Sequence, residues 1–227
     1  MKIIYEFIFP NDNILKYKVD VTYHKKQEDI DDGNKYFWTR LDFEKCSICP
    51  LKSSDFEHCP AAKDLRFLIE DFSTKVSFET VQANVYTPIR DYSKECDMQT
   101  ALNSLLGVIL STSDCPILNQ MKPMAFFHIP FATYEESFIR TVSFYFIRQY
   151  FNKQDGKDAD FDLSNLQDYY NDLKIVNTNL KNRLLAACKK DTFVNAINAF
   201  FSLSALISFS IQDKLADIKP YFFGNGD

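Results

Sequence analysis

Four of the six cysteines fall into three short runs, Cys46-Ser-Ile-Cys49-Pro50, His58-Cys59-Pro60 and Asp114-Cys115-Pro116. A Cys-x2-Cys pair lets two thiolates converge on one cation, and later cysteines can close a tetrahedron around it. Cys49, Cys59 and Cys115 are each followed by proline, which lacks an N–H and keeps the preceding residue out of helix, so each sulfur is expected on a stiff turn. The chemistry this predicts is one metal site ligated by Cys46, Cys49, Cys59 and Cys115. His58, next to Cys59, is an awkward fourth ligand, and His128 stands behind Cys115 for that place. Zinc is the first expectation, because closed tetrahedral thiolate shells are its common structural use. An iron–sulfur cluster is the alternative, since Cys-Pro pairs recur at cluster ligands. The plain reading is buried thiols and no ion, free cysteine being among the most buried residue types. Cys96 and Cys188 read as packing residues.

A second cluster runs from Met121 to Ala132 (MKPMAFFHIPFA), where prolines fix an apolar loop and His128 sits among aromatics. His128 is a candidate acid, base or metal residue beside Glu135 or Glu136. With no nucleophile or second histidine nearby, a packed loop histidine bonded to a backbone carbonyl is the preferred reading. Asn177, Asn179, Asn182 and Arg183, with Asn195 and Asn198, form either a polar cleft or a set of interhelical hydrogen bonds.

These residues need elements to hold them. Ile3, Tyr5, Phe7 and Phe9 alternate with more polar partners, Pro10 to Asn13 signals a turn, and Lys16 to Tyr23 alternates again, which predicts an antiparallel hairpin. His24 to Lys35 is polar and reads as an exposed loop. Tyr36 to Phe43 reads as a third strand feeding the first cysteine pair. A short helix after Pro60 buries Leu65, Leu68, Ile69 and Phe72, and Val76 to Thr87 reads as a fourth strand. Asp91 to Cys96 is the expected seam. Beyond it, Asp97 caps a helix to about Leu110, and Ser111 to Pro130 is a loop. Thr133-Tyr-Glu-Glu136 is a capping box opening a helix to about Phe151, and Asn152 to Asp160 is a linker. Another helix runs from Asp162 or Ser164 to about Cys188, the next starts at Asp191, and a last one ends at Pro220. The fold class is α+β: about four antiparallel strands, a cysteine-rich metal knuckle and one helix over residues 1–95, then four to five helices over 96–227, packed against the sheet or continuous with it.

Composition narrows the function classes. Hydrophobic residues make up 46% of the 227, with 22 Phe and 12 Tyr, so the chain can bury a large core. Only 5 glycines occur, and no GxGxxG or P-loop pattern is present, which argues against dinucleotide and NTP binding. A net charge of −5 disfavours general nucleic-acid binding. Phe193 to Ile211 has the length of a membrane span, but Asn195, Asn198 and its serines interrupt it, so no span is expected. The N-terminus lacks a secretory pattern, and a cytoplasmic location is expected.

The run from Cys46-x2-Cys49-Pro50-Leu51 to Cys59-Pro60-Ala61, then Thr112-Ser113-Asp114-Cys115-Pro116 and Pro123-Met124-Ala125-x-Phe127-His128-x-Pro130-Phe131-Ala132, resembles an uncharacterised bacterial protein family. That family is a domain of unknown function covering nearly the whole chain, and the resemblance implies no activity and no site residues. The expectation is a metal-stapled binding or regulatory protein, with another protein or a small ligand as partner. The rivals are an iron–sulfur redox or sensor protein and an enzyme using His128.

Overall fold

Alternation in the first residues sets up the sheet. Ile3, Tyr5 and Phe7 of β1 (Lys2–Ile8) are fully buried while the residues between them face outward, as a half-buried strand of period two requires. The turn at Pro10–Asn13 returns the chain as β2 (Ile14–Asp20), antiparallel to β1 with Tyr5 opposite Tyr17. The computed structural model describes residues 1–22, 35–72, 79–187, 198, 202 and 211–223. The loop expected at His24 to Lys35 and the helix expected from Asp191 therefore lie almost wholly outside the described residues.

The sheet has four strands in the order β2-β1-β3-β4, with β3 at Thr80–Tyr86 and β4 at Asp91–Asp97, all pairs antiparallel. Two expectations change here. Tyr36 to Phe43 is not a strand but a 3-10 turn at Phe37–Thr39 followed by further turns. The Thr39 hydroxyl donates back to the Tyr36 carbonyl at 2.8 Å, a local bond that competes with extended structure, and Phe37 meets Phe43 edge-on at 5.3 Å. The segment's sole bridge among the described residues is Arg40 to His58. Conversely, the expected seam at Asp91 to Cys96 is the edge strand β4. It reads as polar because most of its side chains are exposed, leaving no apolar alternation to detect.

Helix α1 (Pro60–Phe72) lays Leu65, Leu68 and Phe72 on the sheet, where Phe72 meets Phe7 at 6.2 Å and Tyr17 at 5.9 Å. Helix α2 (Met98–Ser111) is capped as expected by Asp97, whose carboxylate accepts the Thr100 N–H at 2.7 Å. It is buried nearly all round, including Leu102, Leu105, Leu106 and Ile109, the signature of a central helix. The expected loop after it contains a 3-10 turn at Leu118–Met121 and the short helix α3 (Lys122–Phe126). Helix α4 (Tyr134–Gln154) opens on the full capping box, with Thr133 accepting the Glu136 N–H and Glu136 accepting the Thr133 N–H. It continues into the expected linker, and Asp160 there is a fixed point that accepts the Asn165 N–H at 2.8 Å and the Tyr145 hydroxyl at 2.5 Å.

Helix α5 (Ser164–Ala187) buries Leu166, Leu173, Val176, Leu180 and Leu184 at helical spacing. Helix α6 (Ile211–Phe223) carries Pro220 inside it rather than stopping there. The architecture is α+β, an antiparallel sheet with helices on its inner face. One hydrophobic cluster takes in residues from both the strands and the helices. No described helix is long and apolar enough to cross a membrane; residues 193–210 lie outside that statement except for Asn198 and Ser202.

Candidate functional site

The cysteines are delivered by three different local structures. Cys46 and Cys49 share a tight turn in which the Cys49 N–H donates to the Cys46 carbonyl at 3.0 Å. Cys59 immediately precedes α1, with Pro60 at the first helical position, where a missing N–H costs nothing. Its carbonyl accepts the Lys63 N–H at 2.9 Å and its own N–H donates to Thr39 at 2.7 Å. Cys115 follows α2 in the turn closed by the Asn119 N–H on the Cys115 carbonyl at 2.9 Å. Cys115 is buried at 8% exposure, and the other three are half-buried, all with free thiols.

These four thiols lie within electrostatic range of one another. Burial, then Cys59, Cys115 and Cys49, pushes Cys46 up to about 12. Burial pushes Cys115 up to about 11, with Cys59 and Cys49 adding to it and the N–H groups of Leu118 and Ile117 opposing it. Cys59 is raised by burial against the opposing Arg183 charge and the N–H groups of Ala62 and Ala61. Thiols held this way are poor nucleophiles at neutral pH, because reactivity belongs to the thiolate. A bound cation reverses that balance by stabilising several thiolates together. Among the described residues, however, no group of three His, Cys, Asp or Glu side chains stands in a metal-holding arrangement. The neighbourhood is an electrostatic one, not a closed coordination shell.

The histidines are placed elsewhere. His58 Nδ1 bonds the Thr39 hydroxyl at 2.8 Å, its Nε2 lies 3.6 Å from Glu57, and its charged neighbours are Glu57, Lys63, Arg40 and Arg66 rather than the thiols. His128 is tied to the sheet: its Nε2 bonds the hydroxyl of fully buried Tyr5. Tyr5 also bonds Ser104 of α2 at 2.7 Å, and Ser104 accepts the Phe131 N–H at 3.1 Å. Burial, with Arg140 adding to it, lowers His128 to about 3 and keeps it neutral; in the Nδ1-protonated tautomer Nε2 accepts the Tyr5 proton, and in the other it donates. The expected partner was a backbone carbonyl; the observed one is a tyrosine 123 residues away. Glu136 is occupied in the capping box and Glu135 is exposed, and no described hydrogen bond brings either to His128. Arg140 fixes the same loop by donating to the carbonyls of Met124 at 2.9 Å and Phe127 at 2.7 Å. The nearby cavity lined by Met121, Met124, Tyr145 and Tyr169 holds about 40 Å³, room for roughly one water.

Two residues of α5 belong to this site and were not assigned to it from sequence. Asn182 donates to Glu44 at 3.0 Å, and Arg183 donates to the carbonyls of Trp38, Arg40 and Leu41. The available signal was an arginine between Leu180 and Leu184 on an apolar stripe, where a charge needs a buried partner.

A family model described as Domain of unknown function (DUF6901) matches residues 3–223. The chain belongs to the DUF6901 family. No curated protein and no solved structure matches it. The DUF6901 match takes in the sheet, the cysteine turns and every described helix, so the cysteines and the loop of His128 are parts of one family unit.

Proposed function

We propose that the chain is a metal-stapled binding or regulatory protein, in which Cys46, Cys49, Cys59 and Cys115 hold one ion, zinc before an iron–sulfur cluster. What supports the reading is the placement of Cys46, Cys49, Cys59 and Cys115, all free thiols, in the Cys46–Cys49 turn, at the start of α1 and in the turn after α2. Thiolate donors suit zinc or iron–sulfur chemistry over magnesium or calcium. Backbone N–H groups directed at the sulfurs of Cys59 and Cys115 stabilise ligated thiolates and also set cluster potentials. When bound, the ion would supply a cross-link between the segment leading into α1 and the turn after α2. The chain's own residues position the donors: the Cys46–Cys49 turn, the start of α1 and the turn after α2. Zinc sites of this kind contribute folding free energy directly.

The enzyme alternative has weaker support, because His128 is spent on Tyr5 and neither glutamate meets it. The partner we propose is a protein or small ligand rather than nucleic acid, on the strength of the acidic net charge of −5. The test is chelation. A strong thiol-competent chelator, or Cys49→Ser, should lower the melting transition or abolish it. An unchanged cooperative melt in both cases would overturn the proposal.

A further inference from the structure

Helix α4 carries apolar side chains on two opposite faces. Phe138 and Val142 are buried against the core, whereas Phe144, Ile147, Tyr150 and Phe151 fall on the far side at spacings of three and four. Ile147 is 50% exposed, Tyr150 56% and Phe151 58%. Phe126 and Phe127, at the end of α3 and just past it, widen this surface. They are 48% and 59% exposed, their rings lie 5.3 Å apart, and Phe127 meets Phe144 at 5.4 Å. The surface is held in shape by Arg140, which donates to the carbonyls of Met124 and Phe127 and lies over the Phe144 ring at 6.0 Å. A helix that is apolar on both sides is normally covered on both sides, and a contiguous exposed patch of rings marks an interaction site.

The order of residues along the outer face says what covers it, because that order is nearly symmetric about Ile147. Three positions to either side stand Phe144 and Tyr150, four to either side Ser143 and Phe151, and seven to either side Arg140 and Gln154. If two copies of α4 pack antiparallel across a twofold axis at Ile147, each residue meets the one equally far on the other side. An aromatic ring then meets an aromatic ring, Phe151 meets a serine that leaves it room, and Arg140 meets a neutral amide rather than a second cation. Area agrees with this occupant. Five side chains exposed by about half, at about 200 Å² for an aromatic, offer on the order of 500 Å² per chain. Two copies together bury about 1,000 Å², the size at which specific interfaces begin. A lipid surface fits less well, because Arg148, the next cation along α4, is held by Gln120, and Glu136 stands one turn before Arg140.

We infer that the outer face of α4 is a homodimer interface, in which two chains join through antiparallel α4 helices centred on Ile147. Phe126 and Phe127 of each chain flank the helix pair. Helix α4 carries none of the cysteines, so this contact stands or falls apart from the metal site.

A contact of this size is expected to associate in the micromolar range. Sedimentation velocity of the full-length protein in excess reductant, from about 1 to about 100 µM, should show the mass rising from one chain toward two. Ile147→Glu sets two carboxylates face to face on the axis and should weaken association at least about tenfold, with far-UV circular dichroism checking that the variant is folded. Gln154→Glu places a carboxylate opposite Arg140 twice per dimer and should tighten association about threefold, while Gln154→Arg should weaken it by about as much. If Ile147→Glu fails to fold, the two exposed Gln154 variants decide the matter alone. A single-chain mass at the highest concentration would overturn the dimer, whether or not the chain then binds vesicles of anionic lipid. A dimer that folded Ile147→Glu leaves intact, or equal association of the two Gln154 variants, would overturn it as well.

Discussion

Replacing Tyr5 by phenylalanine deletes one oxygen at the junction of β1, α2 and the loop of His128. The ring keeps its place, since its edge-on contact with Phe7 at 6.0 Å does not involve the hydroxyl. What disappears is the bond to His128 Nε2 and the 2.7 Å bond to Ser104. Ser104 retains the Phe131 N–H at 3.1 Å, whereas His128 Nε2 loses its described partner. One buried ring nitrogen left unpaired costs about 1–3 kcal/mol, partly offset because the hydroxyl no longer has to be desolvated. A net loss of about 2 kcal/mol is expected. At roughly 2 cal/mol/K of unfolding entropy per residue, a chain of 227 residues should then melt about 4 °C lower. Urea titration at neutral pH measures the loss. Combining Tyr5→Phe with His128→Phe completes a double-mutant cycle with an expected coupling of about 1–2 kcal/mol. Additive losses, or a Tyr5→Phe cost below about 0.5 kcal/mol, would refute the claim that this contact ties the loop to the sheet.

His128 also gives the stability curve a direction with pH. Its folded value lies near 3, below the ordinary 6.5, so as pH falls past 6.5 the unfolded chain takes up the proton first. The stability this residue contributes is present above 6.5 and is lost as pH falls toward 3; His128→Gln should flatten that portion of the curve in urea midpoints measured between pH 7.5 and 4.5. Thr133→Ala removes the acceptor of the Glu136 N–H at the start of α4 and should cost about 1 kcal/mol, read as a melting temperature lower by about 2 °C.

Much of the fold is legible in local pattern. The alternation of Ile3, Tyr5 and Phe7, the Asp97 cap and the Thr133–Glu136 box each depend on residues a few positions apart, and each recurs in the structure. Strand β4 escaped because an edge strand exposed along most of its length carries no apolar period. Tyr36 to Phe43 misled because aromatic content suits strands and packed turns alike. At the candidate site, the cysteine spacing picked out four sulfurs carried by three separate turns, and among the described residues they form no metal-holding group. The tie from Arg183 to Trp38 spans 145 residues and that from His128 to Tyr5 spans 123. Contacts of that range are set by tertiary packing, and no local pattern in the chain encodes them.

Metal analysis of anaerobically purified full-length protein, with its visible spectrum and a count of reactive thiols, tests the central claim most directly. The account predicts one zinc per chain, no visible colour, and four of the six cysteines protected until the protein is denatured in chelator. A brown protein carrying iron would select the cluster form of the same site. A metal-free protein that melts cooperatively with those four thiols freely reactive would contradict it.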